Sequence, residues 1–285
     1  MLRSQGILSP PPLVVTGGTP TPTPTPTPTA ASLTFGAYGL NTSLATHTTG
    51  AANAKGTATS LGTLSQAVDL IRMAFFTANS RPFLIDLRLA GALIATDVPV
   101  VFTNTTARMN LPLRVSAGEL TFQASYGGTA TSIEAIAFAA TSTVQETATV
   151  CEPIAAVGAG AELTGITGIQ PGDIGVSSGW VEIGTSANAV KGVLPFVGRS
   201  NVTTGRADER YKLEIGTGAT IGVVASIGIS SLFRSSAAII IGDNLQPIMQ
   251  AFAAGTKFWA RLTTLATTAS AGTTRTMNVQ IHGIR

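Results

Sequence analysis

The chain is short of charge: of its 285 residues 14 are acidic and 17 basic, 11% in all, against about a quarter in an average soluble chain. Its surface must be made of Thr, Ser, Gly, Asn and Ala, and such a surface strands few ions when another molecule covers it. The surplus of 17 − 14 = +3 is scattered singly, without the clustered Lys and Arg of a nucleic-acid footprint, so no nucleic acid is expected as a partner. A single cysteine, Cys151, permits no internal disulfide and suits folding in a reducing cytoplasm. With only two histidines, His47 and His282, it also excludes Cys/His metal clusters, and no cofactor or metal is expected. Long apolar runs are absent as well. No window of about 18 residues is uninterrupted, so membrane insertion is not expected and the apolar runs 221–229 and 237–241 read as buried strands. The first residues, with one positive charge and three consecutive prolines, do not read as a secretory signal.

What is present divides into three parts, residues 1–30, 31–152 and 153–285. Residues 19–28 are five consecutive Thr-Pro pairs. Alternating proline forbids helix and holds each preceding Thr extended, so this is a semi-rigid spacer reaching roughly 30 Å. In front of it Ile7, Leu8, Leu13, Val14 and Val15 offer apolar contacts, and the pair of features reads as an anchor peptide on a tether that docks on another subunit. After Ala30 short apolar runs alternate with Gly, Thr, Ser, Asn and Pro every 8 to 15 residues or so, which predicts an all-β fold. Strands are expected at 83–87, 98–102, 120–125, 133–138, 179–183, 211–215, 221–229, 237–241, 257–262 and 277–281. The stretch 61–76 is left open between helix and strand.

The chain also repeats itself. Arg81-Pro-Phe-Leu-Ile-Asp-Leu, an apolar strand, Leu111-Pro-Leu-Arg-Val-Ser-Ala-Gly-Glu-Leu-Thr-Phe and Ile133-Glu-Ala-Ile-Ala-Phe are followed in the same order by Arg210-Tyr-Lys-Leu-Glu-Ile, an apolar run, Ala253-Ala-Gly-Thr-Lys-Phe-Trp-Ala-Arg and Met277-Asn-Val-Gln-Ile-His. The spacing drifts from about 128 residues at Phe83/Tyr211 to about 137 at Gly118/Gly255, as loop insertions produce. Two tandem β-sandwich domains follow from this, with each Ala-Gly forming a tight turn or bulge at positive φ before a strand; they are called jelly-roll-like by analogy alone, since the sequence does not give the strand order.

The series Trp180-Val-Glu-Ile, Tyr211-Lys-Leu-Glu-Ile-Gly-Thr-Gly-Ala, Ala254-Gly-Thr-Lys-Phe-Trp-Ala-Arg and Val279-Gln-Ile-His-Gly resembles a repeated β module of tailed-phage and gene-transfer-agent virion proteins. The resemblance covers residues 150–285 and, more loosely, 60–140. It implies a structural component of a virion appendage such as a head spike, fibre base, decoration protein or tail fibre, and it carries no catalytic residues. The first copy departs from the pattern, with Leu87-Arg-Leu-Ala where the glycine turn belongs.

Chemistry is thinly represented. Asp69, Asp86, Asp97, Glu119, Glu134 and Glu146 are dispersed, no Ser-His-Asp set is suggested, and the glycine pairs lack the strand-to-helix context of a phosphate loop. Trp180, Tyr211 and Trp259 are candidates for glycan or subunit contact, since a ring face stacks on a sugar; Phe258 and Trp259 must point to opposite faces of their strand. The expectation is therefore a non-enzymatic virion protein, assembled in the bacterial cytoplasm. Its partners would be other virion proteins (capsid, portal or tail) and copies of itself. The alternative is a receptor- or carbohydrate-binding tail-fibre module whose partner is a host surface glycan.

Overall fold

The computed structural model describes residues 38–40, 43–78, 83–100, 106–140, 148–155, 167–171, 173–202, 209–231, 247–267 and 275–285. The anchor residues Ile7, Leu8, Leu13, Val14 and Val15, the Thr-Pro spacer and the strand expected at 237–241 lie outside them. The described chain is all-β.

The first half contributes β1 (Tyr38–Gly39), β2 (Ala45–Thr48), β3 (Thr59–Leu64), β4 (Leu70–Phe76), β5 (Phe83–Leu89), β6 (Ala92–Val100), β7 (Thr106–Leu111), β8 (Gly118–Tyr126) and β9 (Ser132–Ala140). One sheet runs β1-β9-β4-β7, with β2 also on β9; facing it, β3-β8-β5-β6 form the other layer. The second half contributes β10 (Cys151–Pro153), β11 (Thr167–Ile169), β12 (Val181–Thr185), β13 (Gly192–Val202), β14 (Glu209–Thr217), β15 (Gly222–Ser231), β16 (Lys257–Thr267) and β17 (Arg275–Ile284). Here β10, β11 and β13 pair with β17, and β12-β16-β14-β15 make the opposing layer. The wiring matches, that of a jelly roll, except that among the described residues β7 is represented in the second half only by the bridge of Ile248 to Val193.

The equivalence extends to single hydrogen bonds. Val68 exchanges both backbone bonds with Val115, and Val190 does the same with Phe252. Leu40 N donates to Ala137 O as Ile154 N does to Ile281 O. In both copies one extra residue bulges the same hairpin, Ile94 opposite Leu87/Arg88 and Val224 opposite Ile215/Gly216. A second shared bulge, Leu61 in β3 and Ile183 in β12, is followed each time by glycine. A Cβ on Gly62 would stand 2.1 Å from Leu40 O, and one on Gly184 would stand 2.7 Å from Ala155 Cβ. The missing side chain lets the incoming strand cross in each sandwich. The Ala-Gly turns behave as the sequence predicts, with φ of +152° at Gly118 and +80° at Gly255. At the hairpin where the first copy departs from the glycine pattern, Ala90 (φ 46°) and Gly91 (φ 84°) form the two-residue turn instead.

Period-2 alternation places Ile71, Met73, Phe75, Ile85, Leu87 and Phe122 in the first core, and Tyr211, Leu213, Ile215, Phe258, Leu262 and Val279 in the second. Full burial of side chains this size stabilises by about 1.5–3 kcal/mol each. The open stretch 61–76 is neither one helix nor one strand: it is β3, a corner and β4, with Leu61, Leu64, Val68, Ile71, Met73 and Phe75 all buried.

The two sandwiches are joined, with β10 as the seam. Cys151 pairs antiparallel with Ile284 and parallel with Ala95, so one sheet continues from β6 through β10 to β17. The division at 152/153 falls inside this strand. Strands β13 and β17 are covered on both faces: Val193, Val197, Met277, Val279 and Ile281 enter the second core, while Leu194, Phe196 and Ile284 join the first.

Candidate interaction surface

Among the described residues, a cluster of aromatic and charged side chains assembles on the outward face of the β12-β16-β14-β15 sheet. Since Phe258 and Leu262 fill the core, the alternate residues Lys257, Trp259 and Arg261 project outward; Glu214 and Lys212 do the same on β14. Registry aligns them across the sheet. Trp259 is opposite Gly216 on one side and Glu182 on the other, and Arg261 is opposite Glu214. The Arg261 Cζ lies 4.5 Å from the centre of the Trp180 ring while its Nε donates to Glu214 Oε2 at 2.8 Å. Lys212 Nζ adds a 3.4 Å ion pair to the same carboxylate oxygen, and Lys257 Nζ pairs with Glu182 at 3.3 Å. Trp259 Nε1 donates to Gly218 O at 2.9 Å, fastening its ring to the β14–β15 turn.

Gly216 sits beneath this assembly. A Cβ there would lie 3.1 Å from Trp180 Cη2 and Cζ3 and 2.4 Å from Ile221 Cγ2, so glycine is what allows the indole to lie down on the sheet. Ile221 is half-buried and Val223 exposed beside it. The result is an apolar platform bordered by a fixed network of two cations and one carboxylate. The hydrogen bond from Arg261 holds the Glu214 carboxyl below the usual carboxylate range, so the network stays ionised at neutral pH.

Of the three aromatic contact candidates, Trp180 and Trp259 come together on this face, both half-buried. Tyr211 does not join them: it has no exposed surface and packs in the second core. Sequence reasoning missed Arg261, Glu214, Lys212 and Gly216 as members of the set. The signal was present in the alternation of Lys212-Leu-Glu-Ile-Gly and Lys257-Phe-Trp-Ala-Arg, since pairing these two strands stacks their outward residues.

Folding brings one carboxylate pair together that sequence spacing does not. Lys55 Nζ lies 3.0 Å from Asp86 Oδ1 and 2.9 Å from Asp97 Oδ1, and the Asp97 amide donates to Asp86 Oδ1 at 2.8 Å. Asp97 stands at the β6 bulge with φ 47°, so the triad fixes an irregular backbone. Both histidines are packed. His47 accepts from the Ala124 amide at 3.0 Å and contacts Thr59 Oγ1 at 3.0 Å, and burial lowers its pKa. His282 donates through Nε2 to Thr96 O at 3.2 Å across the seam; Phe196 meets its ring edge-on, its Nδ1 has no partner, and burial lowers its pKa to about 4. The Cys151 thiol, buried in the same seam, is pushed up to about 12 and is not a nucleophile at neutral pH.

No protein-family model matches the chain, and no curated protein matches it by sequence. Among solved structures, PNGF-II in its P21 crystal form aligns with 80% of this chain at 10% identity and a TM-score of 0.35; the chain spans 60% of PNGF-II's length. The major capsid protein P2 of bacteriophage PM2 aligns with 85% of this chain, over 98% of its own length, at 8% identity and a TM-score of 0.31. Likeness this distant assigns no function to the chain. No helix among the described residues is long and apolar enough to cross a membrane.

Proposed function

We propose that the chain is a non-enzymatic structural protein of a phage-like virion, built into an appendage such as a head spike, fibre base or decoration and attached through residues 1–30. The observation that carries this reading is the seam. Two copies of one jelly roll are fused through a continuous sheet and shared core side chains. Such a block resists relative motion of its halves, which suits a part that bears contacts. The sparsely charged surface supports the same reading, since covering it with neighbouring subunits strands few ions. Location on a virion follows from the resemblance of the repeated strand-and-turn motifs to virion modules.

The test is incorporation. Particles made with a chain lacking residues 1–28 should contain none of it, while the truncated protein alone keeps the far-ultraviolet circular dichroism and melting transition of the intact chain. Normal incorporation of the truncated chain overturns the anchor.

A second reading is favoured by the Trp180–Gly216–Trp259 platform: recognition of a host surface glycan, with the indoles stacking on sugar rings and Arg261 and Lys257 meeting acidic groups. Titrating intrinsic tryptophan fluorescence with host polysaccharide tests it. A response lost in Trp259→Ala supports the glycan reading, and no response at any concentration removes it.

A further inference from the structure

The internal seam is a ready-made pattern for joining one molecule to the next. It is formed by the parallel contact of β10 with β6, the outer strand of the first sandwich's β3-β8-β5-β6 layer. Each partner has a counterpart that the seam leaves unused. The repeat makes β15 the counterpart of β6, because Ile215↔Ala225 matches Leu87↔Ala95 and the following bulge recurs. It makes β1 the counterpart of β10, because Tyr38↔Ala139 and Gly39↔Phe138 match Glu152↔Gly283 and Pro153↔His282. Among the described residues β15 pairs only with β14, and β1 only with β9.

The sequence of β15 also lacks the usual edge guards of charge and proline. Gly222-Val-Val-Ala-Ser-Ile-Gly-Ile-Ser-Ser is ten residues without a charge or a proline, whereas β6, which is covered, carries Asp97 and Pro99. Proteins normally blunt an open edge with lysine, proline, a bulge or brevity; β15 bulges at Val224, but β6 bulges at the equivalent Ile94 and is still paired, so the uncharged run of β15 is a template for another chain.

The geometry points to a head-to-tail contact in which β15 of one copy pairs in parallel with β1 of a second copy, repeating between molecules the β6–β10 junction found within one. It rests on the assembly reading above and names the surface. The seam pairs Cys151 with Ala95; one step further along the two parallel strands sets Glu152 against Thr96, and the same step in the proposed contact sets Tyr38 of one copy beside Ser226 of the other. The contact is heterologous: the two surfaces differ, so it continues until a ring closes or a filament extends. It is also weaker than the seam. Where the second copy turns Leu194 and Asn278 toward the junction, the first presents Arg72 and Glu134 at the matching positions. The intermolecular junction is therefore more polar and more sensitive to salt.

The test uses the full chain carrying Tyr38→Cys and Ser226→Cys; the native Cys151 is buried and supplies no background. After mild oxidation the double variant should run on a non-reducing gel as a ladder of multimers or one closed ring, and each single variant as a monomer. A dimer from Ser226→Cys alone means that two β15 edges pair with each other, which overturns the proposal, as does a double variant that stays monomeric. In sedimentation, Gly228→Lys should lower the association of the unmodified chain at least tenfold. This position has φ in the ordinary range and no atom within 4 Å of a new Cβ, so the side chain enters without a clash; because Lys212 stands opposite it, an unchanged melting transition is the control for folding. Unchanged association overturns the proposal. Particle composition separates the two levels: a chain present in particles but never laddering refutes only the head-to-tail contact, and a laddering chain absent from particles refutes only the virion role.

Discussion

His282 makes the seam between the sandwiches sensitive to acid. The residue has no exposed surface, donates from Nε2 to Thr96 O, and keeps Nδ1 as a lone pair without a partner. Burial holds its pKa at about 4, against 6.5 for a free histidine. Between those values the unfolded chain binds a proton that the folded chain refuses. Stability is therefore greatest above pH 6.5 and is lost as the pH falls toward 4. At about 1.4 kcal/mol per pH unit the gap is worth about 3 kcal/mol, a substantial part of a typical domain's stability. Urea unfolding of the intact protein and of His282→Gln at pH 7, 5.5 and 4 isolates this contribution, because His47 and Glu214 titrate alike in both. The difference in unfolding free energy between the two proteins should shrink by about 3 kcal/mol from pH 7 to pH 4. If the two curves run parallel, the reasoning about the buried imidazole is wrong.

Arg261→Met should destabilise by about 2–3 kcal/mol, because it leaves the nearly buried Glu214 with only Lys212, and the emission of Trp180 should move to longer wavelength; a loss under 0.5 kcal/mol would show the network to be ornamental. Gly62→Ala should cost at least about 3 kcal/mol, since the new methyl collides with Leu40 O at a φ of +115°; Gly184→Ala, its counterpart, should also destabilise, and differential scanning calorimetry reads both. Cys151 should resist a thiol-specific chromogenic reagent in the native protein and react fully in 6 M guanidinium; fast native reaction would place the thiol outside the seam.

Much of the fold is readable in the sequence because the matched segments are core strands whose alternation survives duplication. The spacing of 128 at Phe83/Tyr211 joins equivalent positions in β5/β14, whereas the 137 at Gly118/Gly255 is one residue out of register: β8 and β16 correspond at a spacing of 138, as Phe122 and Ala260 show opposite Leu87 and Ile215. The matching segments at Ile133 and Met277 belong to the equivalent strands β9 and β17. The shorter matches Ser60-Leu-Gly-Thr with Glu182-Ile-Gly-Thr and Ala67-Val with Ala189-Val were equally real but too brief to separate from chance in a Thr- and Ala-rich chain. Strand β13 was missed for a different reason: with a core on each side, Val193-Leu-Pro-Phe-Val does not alternate, and Pro195 argues against a sheet. At the surface, Trp180 and Trp259 were identifiable by type, whereas their union through Gly216 depends on a register that no local pattern specifies.

The seam has made the duplicated halves unequal. Facing outward from equivalent strands, one half carries Arg72 and Glu134 and the other Leu194 and Asn278. A gene with its two halves transposed would thrust a guanidinium and a carboxylate into an oily crevice and leave bare leucine and phenylalanine in water. Though built on one plan, the halves have become specialists, and their sequence differences should be greatest along the surface where they touch.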